Sequence, residues 1–200
     1  MDVTEIDEET YTHIHFSFGT ITDSFEINVK DVQEQFDKMV KWETKLKKII
    51  SFGGWAFSTE PETIEVFRNG VKEENREKFA HNVAAFVKKH KLDGVDFDWE
   101  YPGADDIPGT TPGGKSDGKN YVQFLKLVKS KLDDKSVSIA APASYWYLRW
   151  FPIKDIGKVV DYIIYMTYDL HGQWDVDNEY AQVRHTPPNP QFPNRAVFRI

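Results

Sequence analysis

The stretch Leu92-Asp93-Gly94-Val95-Asp96-Phe97-Asp98-Trp99-Glu100-Tyr101 reads as one buried strand with its chemistry at the C-terminal end. Side chains of a strand alternate between two faces. Asp96, Asp98 and Glu100 therefore share one face, and Val95, Phe97 and Trp99 share the other. The second face is apolar and suits packing against helices. The first carries three carboxylates, spaced roughly 7 Å apart. In a partly dry site they do not all ionise cheaply, so at least one keeps its proton to a higher pH. A carboxylic acid held near neutral pH is what a general acid needs. The competing reading is an edge strand with its acids facing water. The flanking aromatic rings, and the absence of Lys or Arg between the acids, argue against it.

Outward from this strand the chain alternates between two periodicities. Tyr11 to Phe18 is aromatic, β-branched and alternating, a strand. His13 and His15 fall on one face of it, and with no third ligand nearby in sequence they read as structural. Leu46 to Phe52 is a short apolar strand followed by Gly53, Gly54 and Trp55. A glycine pair there lets backbone or ligand approach closely, or simply turns the chain. Ser136 to Pro142 and Asp161 to Tyr168 complete a set of five strands. Helical spacing is expected from Val32 to Lys45, Glu62 to Phe67, Glu73 to His90, Tyr121 to Leu132 and Pro152 to Val159. Pro102 to Lys119 reads as a long Pro/Gly-rich loop, with Asp105 and Asp106 solvated in it. Ala143 to Phe151 reads as an aromatic loop.

Strands separated by helical segments predict βαβ units and a parallel sheet. Polar and aromatic groups gather at the strand C-terminal ends, where a (β/α)8 barrel builds its active site. A doubly wound open sheet is the alternative, but no glycine-rich phosphate loop opens any helix. The Pro/Asn-rich segment from Asn178 to Ile200 has little periodicity and is expected to be irregular.

Composition narrows the function. Two hundred residues, 40% hydrophobic and 14% aromatic, suffice for one domain with a core. A net charge of −7 argues against a nucleic-acid partner. No apolar run reaches the length of a membrane span. There is no cysteine, hence neither a disulfide nor a Cys-based metal site. The residues call for no metal or cofactor. The acidic, polar opening residues do not read as a signal peptide.

Three segments together resemble glycoside hydrolase family 18, the chitinases. Asp93 to Glu100 fits the D-x-x-D-x-D-x-E signature, Ser51-Phe52-Gly53-Gly54 fits S-x-G-G, and Met166-Thr167-Tyr168-Asp169 fits M-x-Y-D. The surrounding wording is similar to fungal chitinases related to yeast killer toxins, from about residue 5 to residue 175. The resemblance implies a (β/α)8 barrel and hydrolysis of chitin or chitooligosaccharides. It implies that Glu100 is the general acid, that Asp98 holds and polarises the sugar acetamido group, and that Asp96, supported by Ser51, sets the charge state of Asp98. It implies that Tyr168 hydrogen-bonds the acetamido group, that Asp169 contacts the sugar and that Met166 lines the pocket floor. Gly53, Gly54 and Asp93 would be structural support. Trp55 is the sugar platform the family pattern implies, with Tyr101, Tyr145, Trp146 and Trp174 as further candidates. Secretion is likewise implied by the family.

The resemblance leaves parts of the barrel unmatched. Tyr11 to Phe18 is similar to the family's second strand, and counterparts of its first, seventh and eighth strands are not found. Residues 1–176 are expected to form a partial catalytic domain, and 177–200 a Pro-rich tail. An open remnant of this kind would expose apolar sheet edges. Three other functions remain in view: a chitin-binding module, an endo-β-N-acetylglucosaminidase acting on N-glycans, and an inactive fragment. The presence of Glu100 argues against a binder that has lost its acid.

Overall fold

The computed structural model describes residues 2–168 and 170. Strands β1 (His13–Ile21), β2 (Ile27–Asn28), β3 (Lys47–Gly53), β4 (Gly94–Asp98), β5 (Ser136–Pro142) and β6 (Tyr162–Met166) form one sheet in the order β2-β1-β3-β4-β5-β6. From β1 through β3 to β6 every pairing is parallel, as the βαβ alternation predicts. The short β2 was not expected: it returns antiparallel on β1, with Thr20 opposite Asn28.

Helices α1 (Gln33–Lys41), α2 (Trp55–Thr59), α3 (Ile64–Gly70), α4 (Arg76–Lys89), α5 (Asp117–Leu132), α6 (Tyr145–Leu148) and α7 (Ile153–Ile156) fill the connections. Their apolar sides bury Phe36 and Met39 of α1, Phe79, Val83 and Val87 of α4, and Phe124, Leu125, Val128 and Leu132 of α5. The apolar face of β4 meets this layer as its pattern demands. Phe97 packs edge-on against Phe124 at 5.1 Å, and Trp99 stacks on Phe67 at 5.7 Å.

Several boundaries differ from the expectations. α1 stops at Lys41 rather than Lys45, because the Lys48 ammonium takes the carbonyls of Val40 and Trp42, at 3.0 and 2.6 Å. α5 begins a turn early, because the buried Asp117 carboxylate accepts the backbone N–H groups of Gly103 and Gly114, at 3.1 and 2.9 Å, and anchors the long loop. Trp55–Thr59 and Tyr145–Leu148, expected as turn and loop, are single helical turns. The acidic strand is shorter than expected. β4 ends at Asp98, and Glu100 stands just past it.

The sheet is curled. β1 and β6 are separated by three strands, which in a flat sheet would hold them about 19 Å apart. Instead the Tyr162 hydroxyl on β6 reaches His15 Nε2 on β1 at 2.8 Å. The concave side is thus a trough closed by side chains, a partial (β/α)8 barrel. Among the described residues β6 has a strand on one side only.

Candidate active site

Strand register builds the site. Ser51 of β3 and Ser138 of β5 both lie opposite Asp96 of β4. A parallel sheet points such neighbours to the same face, and both hydroxyls turn onto the one carboxylate. Ser51 Oγ donates to Asp96 Oδ2 at 3.1 Å and Ser138 Oγ to Oδ1 at 2.7 Å. Asp96 is 1% exposed and Asp98 is fully buried. A buried carboxylate is costly unless such donors replace water, and the two serines supply them. Asp93 does different work at the other end of the strand. It accepts the Lys48 N–H at 2.9 Å and fixes the start of β4 against β3.

The next register position explains the glycine pair. Gly53 faces Asp98 across the ladder, with φ at +111°, and Gly54 N donates to the Asp98 carbonyl at 2.8 Å. The chain then enters α2, whose Ser58 Oγ accepts the Glu100 N–H at 3.0 Å. The glycine turn thereby positions the backbone on both sides of Trp99.

Above these strand ends opens a cleft of ≈ 990 Å³. Asp98, Glu100, Met166, Tyr168, Trp55 and Tyr101 line it together. Met166 is buried, while Trp55 and Tyr168 are about half exposed. Tyr101 is less a free platform than expected. Its ring stacks on Tyr147 at 4.5 Å, and its hydroxyl pairs with Glu100. Burial first, then the Glu100 charge and that hydrogen bond, push the Tyr101 phenol well above its ordinary range. It therefore remains an O–H donor to Glu100.

Trp146 does not line the cleft. The Arg149 guanidinium covers one face of its ring, 3.5 Å from the centroid, and its indole N–H donates to Asp106. Asp106 is thus a hydrogen-bond acceptor, and Asp105 stands 3.9 Å from Arg149. Both aspartates hold the aromatic loop rather than being merely solvated. Tyr145 is exposed outside the cleft lining. Asp169 and Trp174 lie outside the described residues, as does the segment 177–200.

Sequence reasoning missed Phe18, Tyr147 and Leu170 in the cleft wall, and Ser138 and Tyr162 beneath it, where His15, read as structural, also lies. A signal existed for Ser138: with Ser136 it puts a hydroxyl on one face of an otherwise apolar strand. Among the described residues no group of three His, Asp or Glu side chains is placed to hold a metal ion, and no helix is long and apolar enough to cross a membrane.

The model of glycosyl hydrolases family 18 matches residues 2–189. The chain belongs to that family. The match runs past residue 176, where the sequence reading placed the end of the catalytic part. Among the relatives of this family 18 chain are "Secreted chitinase LysM12" of Penicillium expansum, 54% identical over 182 residues, and "Killer toxin subunits alpha/beta" of Kluyveromyces lactis, 47% identical over 190 residues. The alignments cover 90% and 94% of the chain but 12% and 16% of those proteins. A Group IV chitinase of Ostrinia furnacalis, solved in complex with allosamidin, superposes with a TM-score of 0.73 at 27% identity, over 88% of this chain and 48% of that one. The family 18 chain therefore spans about half of that solved chitinase.

Proposed function

We propose that this chain hydrolyses β-1,4 linkages between N-acetylglucosamine units of chitin or chitooligosaccharides, with retention, by substrate-assisted catalysis. The observation that carries the reading is the graded row of carboxylates. Asp96 is sealed under two serines, Asp98 is buried at the cleft floor, and Glu100 stands at the cleft itself. Three coupled carboxylates share protons, so one remains an acid while a neighbour stabilises positive charge.

In this scheme Glu100 gives its proton to the glycosidic oxygen as the bond to the anomeric carbon breaks. The sugar's own N-acetyl carbonyl oxygen attacks that carbon and forms an oxazolinium ion. Family 18 hydrolases thereby depart from the usual pair of nucleophile and acid. Asp98 orients the acetamido group and faces its developing charge. Tyr168 hydrogen-bonds the same group, and Met166 floors the pocket. Glu100, now ionised, takes a proton from the water that opens the ring. Asp169 is assigned to the sugar contact by its motif alone. Trp55 offers an exposed ring for stacking. The relative named as secreted supports an extracellular place of action.

Release of a fluorophore from a chitotriose glycoside tests the reading directly. Turnover is expected, and chitotetraose is expected to be cut in preference to a high-mannose glycopeptide. A folded chain that cuts the glycopeptide instead is an endo-β-N-acetylglucosaminidase. One that retains chitin beads without turnover is a binding module.

A further inference from the structure

Among the described residues three rings meet Tyr101, and they meet it differently. Tyr147 of α6 lies face to face with it, the ring centres 4.5 Å apart and the planes 20° apart. Trp55 of α2 and Phe151 stand farther off, each at 6.4 Å, and are tilted by 61° and 66°. The Tyr101 carbonyl accepts the Ala104 N–H at 3.2 Å, which fixes the backbone in a turn and leaves the swing of the ring as the freedom to be removed. That swing matters because the hydroxyl at the end of the ring pairs with Glu100. A hydrogen bond weakens steeply as its geometry bends, so the pose of the ring decides whether this donor reaches the carboxylate.

Tyr147 is suited to set that pose. Its helical turn is closed by Leu148 N–H on the Ser144 carbonyl at 2.9 Å and by Arg149 N–H on the Tyr145 carbonyl at 3.0 Å. Its neighbour Trp146 is clamped between Arg149 and Asp106, and Phe151 just beyond the turn is buried. A stack of two rings at this separation is directional, since the ring quadrupoles favour it over other poses. Tyr147 brings no charge to the cleft it lines: burial first, and then the nearby Asp106, push its phenol up. What it offers Tyr101 is a ring face on a fixed support.

We propose that Tyr147 is a positioning residue, whose stack on Tyr101 keeps the Tyr101 hydroxyl on Glu100. That Glu100 is the acid rests on the hydrolase reading above; the placement of the hydroxyl by the stack does not.

The titratable and charged groups around Glu100 come from several elements. Asp98 and, below it, Asp96 belong to β4, and Tyr168 follows β6 into the same cleft. Tyr101 and Tyr147 stand there as neutral phenols, with Asp106 of the long loop behind Tyr147. α2 contributes Trp55 and the Ser58 hydroxyl, which do not titrate.

Carboxyl-carbon NMR of the chain labelled with ¹³C-glutamate follows Glu100 directly, its signal identified by its loss in Glu100→Gln. A donor favours the charged form, so a misplaced donor lets Glu100 hold its proton to higher pH. Tyr147→Ala is expected to move the Glu100 midpoint up by about 0.5–1 unit, the effect of one hydrogen bond. Tyr147→Leu, which fills the space without stacking, is expected to do the same, and Tyr147→Phe, which keeps the ring, to leave the midpoint in place. In a Tyr101→Phe background Tyr147→Ala is expected to add nothing. A midpoint unmoved by Tyr147→Ala overturns the proposal. So does an equal shift in both backgrounds, or a Tyr147→Phe shift as large as that of Tyr147→Ala. On the chitotriose glycoside, the basic limb of kcat/KM for Tyr147→Ala is expected to follow the Glu100 midpoint. A raised KM with the limb in place would make Tyr147 a sugar contact and overturn the positioning role. If the unsubstituted chain shows no turnover, the hydrolase reading fails, and the Glu100 titration still decides what the stack does.

Discussion

A Cβ placed on Gly53 would stand 2.1 Å from the carbonyl oxygen of Asp98. That contact is backbone against backbone, between the two strands that carry the site, and it leaves no room for relaxation. The φ of +111° at Gly53 adds a second reason, since L side chains rarely adopt it. Gly53→Ala is therefore expected to destabilise the fold by at least about 2 kcal/mol. It should also displace Asp98 and abolish turnover in whatever fraction remains folded. Urea unfolding followed by circular dichroism, beside the fluorophore assay, measures both. A variant with the parent's midpoint would show that β3 and β4 do not meet at this register.

In the proposed scheme Glu100 supplies the acid and Asp98 holds the sugar acetamido group. Glu100→Gln keeps the shape and a hydrogen-bonding side chain but has no acidic proton. Turnover is expected to fall by about 10²-fold or more, while chitooligosaccharide binding persists in calorimetry. Retained turnover would remove Glu100 as the acid. Lost binding with a folded chain would instead make it a sugar contact.

The aromatic layer behind β4 sets the stability of the site. Phe79 is fully buried, stacks on Phe124 at 4.5 Å and meets Phe97, the residue between Asp96 and Asp98, at 6.4 Å. Phe79→Ala removes a ring that three elements share. A loss of about 3–5 kcal/mol in unfolding free energy is expected. A loss well below 1 kcal/mol would mean that α4 and α5 collapse into the space without strain.

What the sequence revealed and what it hid divide along contact distance. The face shared by Asp96 and Asp98 follows from the two-residue period of a strand, so it was legible from the local sequence, whereas Glu100 lies past the strand end and is placed by the chain beyond it. The parallel order was legible because each strand is followed by a helical stretch. Ser138 was not, because its hydrogen bond to Asp96 spans 42 positions and depends on β4–β5 register. His15 was still further from reach. Its partner Tyr162 is 147 positions away, and the two meet only because the sheet curls. The end of α1 was misplaced for a related reason: the Lys48 ammonium that stops it belongs to the next strand. The antiparallel β2, two residues long, offers no periodicity to detect.

Tyr101 gives a prediction whose sign can be worked out. Its ring is held by stacking on Tyr147, so Tyr101→Phe preserves the packing and deletes only the hydroxyl. That hydroxyl donates to Glu100. A donor to a carboxylate favours the charged form and holds the acid's pKa down. The reciprocal effect is seen on the tyrosine, whose phenol is raised first by burial and then by the Glu100 charge. Removing the donor must raise the Glu100 pKa. In the proposed scheme bond cleavage needs Glu100 protonated, so activity is expected to persist further into alkaline conditions. The basic limb of kcat/KM against pH is expected to move up by about 0.5–1 unit, the equivalent of one hydrogen bond of about 1 kcal/mol. The chitotriose glycoside assayed across the pH range reads this limb. A limb that stays in place would mean that the Tyr101 hydroxyl does not act on the protonation of Glu100, and a limb that moves down would mean that it stabilises the protonated acid instead.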